Sequence, residues 1–304
     1  MFNNQSKGII FAVLAAITYG MNPLFGLPLY AEGMQPPSVL FYRFFFASLL
    51  MAGVLFISGK DKFHLPRRYL ILTATAGILM ALTCLFWFFS FSLMDSGIGA
   101  SLLFVYPVMV ALIMRIFFKE KLSAMTVAGM VTAVAGVAIL CSGSSGGKIT
   151  AAGVVLIMLS ALTYAVYLVM VKTTCLRELA PAALTFYAML FSLPVFLIPL
   201  RMGIDLQAIP SCKALLNAAG LALFPSLCSF LFAAVAIHAI GPTGTAVLGA
   251  LEPVTAVTIG IVVFHEKLSW LNCAGIILIL AAVIIVIKGN QQIKNDTVNH
   301  DIET

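Results

Sequence analysis

Hydrophobic residues along this chain run in long, nearly unbroken stretches, without the two-residue alternation of a half-buried strand or the one-sided stripe of a surface helix. Ten stretches stand out, at residues 8–30, 37–58, 69–93, 97–117, 122–141, 149–171, 181–200, 214–239, 243–264 and 268–287. Most hold about 20 residues, which is what a helix needs to cross a hydrocarbon layer about 30 Å thick. The separators are short and marked by Gly, Pro or charge, as in Gly59-Lys60-Asp61-Lys62 and the Ser/Gly linker at 142–148. The pattern predicts an all-α membrane protein with ten transmembrane helices. The first span follows the amino terminus directly, with no small-residue cleavage pattern, and is expected to be retained.

Composition narrows the class further. Of 304 residues, 62% are hydrophobic and 9% charged, against about 25% charged in soluble domains. A water-soluble fold, a disulfide-stapled secreted fold and a nucleic-acid-binding role are excluded together. The formal charge of +6 reads as topology, because cytoplasmic loops retain Lys and Arg. With the amino terminus in the cytoplasm, 12 of the 17 basic residues lie inside; Lys148, Arg201, Lys213 and Lys267 lie outside, and Arg43 sits within a span. Ten spans return the carboxyl terminus and its polar tail, 289–304, to the cytoplasm. The six cysteines are scattered singly, and neither they nor His238 and His265 have the spacing of a metal site or catalytic triad, so no metal or cofactor is expected.

The chain also repeats itself. Shifted by 146 residues, 100–123 matches 246–269 at ten of 24 positions, including Pro107 with Pro253 and Glu120-Lys121-Leu122-Ser123 with Glu266-Lys267-Leu268-Ser269. Scattered Leu and Val could match by composition, but a proline and a charged tetrad do not. Two repeats follow, 8–141 and 149–288, of five spans each. Five is odd, so the second copy enters the membrane inverted. The charges agree: Arg115, Lys119 and Lys121 on the cytoplasmic side face Ile261, His265 and Lys267 in the external copy. Inverted repeats give a secondary transporter two interchangeable states.

Several residues could carry the chemistry. Pro107 and Pro253 each remove a backbone donor near mid-span and free the carbonyls of Leu103 and Gly249, which either take a substrate ammonium or hydroxyl or, in a simple packing kink, are satisfied by Ser, Thr or water. Glu252 is the one acid deep in a span. An ionisable group there costs about 2.5–3.5 kcal/mol on insertion scales, which makes it a functional candidate, either exchanging a proton or holding a cationic amine, with a structural acid hydrogen-bonded to a neighbouring helix as the competing reading. Its counterpart in the first half is Tyr106. Arg43 either binds a carboxylate, pairs with Glu252 or snorkels to the interface. Tyr19, Asn22, Tyr164 and Tyr167 form a polar and aromatic set suited to orienting a small ligand, and Trp87 with Phe88 and Phe91 could wall the cavity; for each aromatic, plain packing is the competing reading. Trp270 reads as an interface residue, and small residues in spans five and ten as close helix contacts in a scaffold or dimer surface.

These segments resemble a known family. The YGMNPLF run at 19–25, Arg43, TYAVYLVMVK at 163–172, and the two Pro-to-Glu-Lys-Leu-Ser segments at 106–123 and 251–269 are similar to the paired modules of EamA-type transporters in the drug/metabolite transporter superfamily. The resemblance implies a bacterial inner-membrane permease, often an exporter of amino acids or related metabolites, working as monomer or homodimer. The expected partners are a small-molecule metabolite, the lipid bilayer and, through Glu252, protons. Facilitated diffusion, an intramembrane enzyme and a non-transporting regulator are the competing readings.

Overall fold

A computed structural model describes residues 4–58, 65–90, 93, 103–120, 123–142, 150–264, 270–271, 273–282 and 284–285. The 142–148 linker, most of the repeated charged tetrads, Phe91 and the 289–304 tail lie largely or wholly outside these residues. Among the described residues there is no strand. The helices are α1 (Asn4–Gly20), α2 (Asn22–Ala31), α3 (Pro36–Ser58), α4 (Arg67–Ser90), α5 (Tyr106–Phe118), α6 (Ala124–Ser142), α7 (Ala151–Thr173), α8 (Pro181–Leu197), α9 (Cys212–Leu221), α10 (Ser229–Leu248), α11 (Leu251–Phe264) and α12 (Cys273–Ala282). A π-helical stretch, Ala222–Cys228, joins α9 to α10.

Prolines set many of the starts. Those of α2, α5 and α8 fall in the first helical turn, where a missing N–H leaves nothing unpaired. Side-chain caps start two more: the Thr150 hydroxyl accepts from the Gly153 N–H at 3.1 Å, and Ser211 accepts from Ala214 at 2.9 Å.

Among the described residues, five helical stretches are long and apolar enough to cross a bilayer: Asn4–Ala31, Pro36–Ile57, Arg67–Ser90, Ala151–Thr173 and Cys212–Leu248. The last holds 37 residues, which at about 1.5 Å each would reach about 55 Å, far beyond one membrane core. It is interrupted at Gly241, whose φ of 82° and ψ of 170° are non-helical. Gly241-Pro242 is therefore a corner, where the sequence places the gap between its eighth and ninth stretches.

The remaining apolar helices are shorter, and two of them show why. In the first half the helix that holds Pro107 begins anew after a turn at 104–105; in the second, a turn at 249–250 separates α10 from α11. These turns fall within one residue of matched positions in the two copies. Each proline thus stands in the first turn after a two-residue turn whose Val105 and Gly249 keep right-handed helical dihedrals, and there it avoids the clash it would cause inside a helix.

Packing is by small residues and buried rings. The helix α1 lies along α10, and a side chain at Gly8 would meet Ile240 and Ala239 at 2.6 and 2.7 Å. Gly136 of α6 is similarly tight against Gly275, Leu278 and Ile279 of α12, so the small residues of spans five and ten meet each other. The Phe44 and Phe196 rings meet at a tilt, centroids 4.8 Å apart, in the main core.

Outside the interior, polar contacts between distant segments gather at two ends. At one end, Glu32, Gly33, Gln35, Ser38 and Tyr42 bond to Gln207 and Ser211. At the other, Arg68 and Tyr69 reach Glu178, Lys172 donates to the His238 carbonyl at 3.1 Å, and Thr243 donates to Glu120 at 3.4 Å. Half-burial pushes the Glu120 carboxyl up from its ordinary range, against the bond from Thr243 and the charge of Lys172, which pull it down. The Arg68–Glu178 pair, with side chains 68% and 48% exposed, contributes at most about 1 kcal/mol.

Candidate functional site

Two constructions occupy the interior, and prolines generate both. In the first, Pro23 has no N–H to offer the Tyr19 carbonyl four residues earlier, so α1 ends and α2 begins. The Asn22 side chain repairs the loss by donating its amide to the Tyr19 carbonyl at 2.7 Å. In the second half Pro225 abandons the Leu221 carbonyl in the same way. The helix there widens to the π form, and the Ser226 hydroxyl donates to Leu221 at 3.1 Å.

Arg43 joins the two repairs. Its Nη1 donates to Asn22 Oδ1 at 3.0 Å, its Nε to Ser226 Oγ at 2.6 Å, and its Nη2 to the Pro225 carbonyl at 3.1 Å. Its guanidinium carbon lies 5.5, 5.7 and 5.9 Å from the ring centroids of Tyr19, Phe44 and Phe230, within cation–π range. The residue is 2% exposed. Of the readings left open, snorkelling fails, because three neutral acceptors hold the fork inside. It also forms no ion pair with Glu252, nor with any other acid among the described residues. Burial of a charge with all-neutral partners is tolerable only when the donors are this well matched.

The other construction surrounds Glu252. It stands in the first turn of α11, just past the 249–250 break, and lines a small cavity with Tyr106, Tyr164, Leu168, Ser229, Ala233, Thr245, Ala246 and Gly249. Ala12, Ala15 and Ala16 of α1 close the other side. The cavity leaves about 10 Å³ for water centres, room for roughly one water molecule. No hydrogen bond or ion pair joins the Glu252 carboxyl to a described residue. Tyr106 is fixed across from it: the hydroxyl donates to the Ala246 carbonyl at 3.1 Å, and the ring meets Tyr164 edge-on at 4.8 Å. Any side chain at Gly249 would fall on that hydroxyl, and one at Gly20 would meet the Glu252 carbonyl at 2.6 Å. These two glycines let the broken helices close around the acid.

The sequence-derived candidates thus divide. Tyr106, Tyr164, Gly249 and Glu252 share the cavity. Tyr19, Asn22 and Arg43 form the neighbouring knot, with Tyr19 facing Arg43 on one side and Phe230 on another. Tyr167 stacks on Tyr164 at 6.3 Å, one ring away from the cavity. Trp87 lies beside Phe88, whose ring is 6.3 Å from Tyr30, and does not line the cavity. Leu103, Pro107 and Pro253 shape the two breaks. One expectation fails in detail: the Gly249 carbonyl is not left open, because the tight turn brings the Glu252 N–H to it at 2.9 Å.

Sequence reasoning missed Ser229, Thr245 and the alanine face of α1, although Ala12, Ala15 and Ala16 at helical spacing were a readable signal. It also missed Pro225-Ser226, where a polar residue beside a mid-span proline could have been noticed. Among the described residues no three His, Cys, Asp or Glu side chains gather as a metal set.

Known proteins share this organisation. A solved crystal structure superposes with a TM-score of 0.80 at 17% identity, over 95% of this chain and 99% of that one, which establishes the shared fold. An uncharacterized transporter, YxxF, of Bacillus subtilis (strain 168) is 25% identical over 189 residues, covering 60% of this chain; the chain spans 58% of the length of that relative. The model of the EamA-like transporter family matches twice in tandem, at 6–142 and 151–288. With both breaks, both prolines and nearly the whole length inside those matches, the chain belongs to the EamA-like transporter family.

Proposed function

We propose that this membrane transporter is a secondary carrier that exports a small amine-bearing metabolite of the amino-acid class by alternating access, exchanging it against protons at Glu252. The observation that carries this reading is the lone carboxyl beside a small cavity, where two helices each begin after a short turn at nearly matched positions. An ammonium suits the site: Glu252 supplies the charge, and the Tyr106 and Tyr164 rings supply the faces that attract a cation. Each copy of the module, 8–141 and 149–288, contributes one break, so rocking one against the other would open the cavity to each side in turn.

Ten spans, an inverted second repeat and cytoplasmic termini belong to the same reading. The end-to-end contacts support it, since every pair joins residues that the Lys and Arg count assigns to one side. The location is the bacterial inner membrane, as monomer or homodimer. With room for about one water, the cavity fits a closed stage of the cycle, not a pore.

Counterflow in proteoliposomes tests the reading. Amines and amino acids that raise the unfolding temperature in detergent are loaded on one side, and a labelled trace of the same compound is added on the other. Transient accumulation of the trace is expected for at least one amine-bearing compound, faster with an opposing pH gradient. Absence of counterflow for every stabilising compound contradicts it.

A further inference from the structure

The end that the charge count places outside holds a structure the transport site does not need. Gln207 lies on the segment leading into α9, set off from α8 by three successive left-handed residues, Arg201, Met202 and Gly203 (φ 48, 59 and 102°). All four polar groups of Gln207 are bonded to the α2–α3 corner and the start of α3. Its side-chain oxygen accepts from the Gln35 N–H, and its amide donates to the Gly33 carbonyl at 3.2 Å. Its own N–H donates to Ser38 Oγ at 3.2 Å, and its carbonyl accepts from the Tyr42 hydroxyl at 2.9 Å. Ser211 adds a bond to Glu32 at 2.6 Å. Each joins the first repeat to the second.

Under this polar layer lies an apolar one. Leu29, Met34 and Val39 pack against Ala214, Ala218 and Leu221 in a cluster separate from the main core. Beside it a cavity of about 360 Å³ is walled by Leu40, Leu85 and Phe88, with Gln35 and Asp205 among its polar lining. A bonded lid over a thin apolar layer, next to open space, is how a barrier is built that must both seal and yield. The bonds that break on opening are replaced by bonds to water, so the open and closed forms stay close in free energy.

We propose that Gln207 is the pin of the outer gate: the α2–α3 corner and the segment before α9 part to pass solute on that side and re-engage through this residue on closing. The inference rests on the carrier reading and adds to it the element that seals one side.

Thiol labelling of the full chain in proteoliposomes tests it. The exposed Cys212 and Cys273 are replaced by Ser, and Leu40, fully buried and walling the outer cavity, is replaced by Cys. A membrane-impermeant maleimide then reports how often that wall is reached from the outer side. Gln207→Ala, which removes both side-chain bonds, is expected to raise the labelling rate about tenfold. Tyr42→Phe, which removes one bond and only a hydroxyl, is expected to raise it about threefold and serves if Gln207→Ala does not fold. Equal rates in the parent and in the folded variants overturn the proposal. Labelling reads the gate whether or not any solute is carried, so failed counterflow with accelerated labelling sinks the carrier reading alone, and the reverse sinks the gate alone.

Discussion

Glu252→Gln is expected to lower pH-driven flux at least tenfold while leaving the folded protein as stable as before, or more so. The usual signature of a damaged interior is loss of both. Here the two separate, because the carboxyl forms no hydrogen bond or ion pair with a described residue and so anchors nothing. Glutamine has nearly the same shape and takes its place without forcing a neighbour. It removes an ionisable group from mid-span, where insertion scales assign a cost of about 2.5–3.5 kcal/mol. What disappears is the capacity to take up and release a proton, and with it the drive from the membrane potential, worth about 2.3 kcal/mol per charge per 100 mV. Flux against a pH gradient and thermal unfolding in detergent, measured on one preparation, decide it. Undiminished pH-driven flux removes Glu252 from the coupling step; a large drop in unfolding temperature makes it a structural acid instead.

The second large effect is the converse. Arg43→Ala is expected to destabilise the protein by about 3 kcal/mol or more, since bonds from a charged donor contribute about 1.5–3 kcal/mol each and three are lost together. The loss also strands the acceptors on Asn22, Ser226 and Pro225, each of which sits at a proline break where a backbone bond is already missing. Arg43→Lys should recover little, because one ammonium cannot reach three acceptors arranged around a planar fork. Ser226→Ala should be mild alone and add less than its own effect to Arg43→Ala, the mark of a shared network. Thermal unfolding of the three single variants and the Arg43→Ala/Ser226→Ala double variant checks this, and an unchanged midpoint for Arg43→Ala would mean that the knot contributes nothing.

How much of this was legible in the sequence follows from the range of each interaction. The helical class came from continuous hydrophobicity, and the Gly241-Pro242 corner came from two residues with local consequences. Glu252 and Tyr106 could be paired because each precedes a proline repeated in its half, and both reach the cavity. Arg43 was visible as an anomaly but not as a knot. Its partners Ser226 and Pro225 lie 183 and 182 positions away, and no spacing rule links a guanidinium to a π-turn in another helix. Gln207 was invisible for the same reason: a polar residue in an extended segment looks like any loop residue until its partners, 165 to 174 positions earlier, are in place. The Gly249 carbonyl was misjudged because a kinked helix leaves such a group open, whereas a broken one turns the next N–H onto it.

The carrier reading requires that the second copy of the module lie upside down relative to the first. The direct test places single cysteines at Lys121 and Lys267, equivalent residues of the two copies, and labels intact cells with an impermeant reagent. The account predicts labelling of the position at Lys267 and protection of the position at Lys121 until the membrane is opened. Labelling of both, or protection of both, would contradict it.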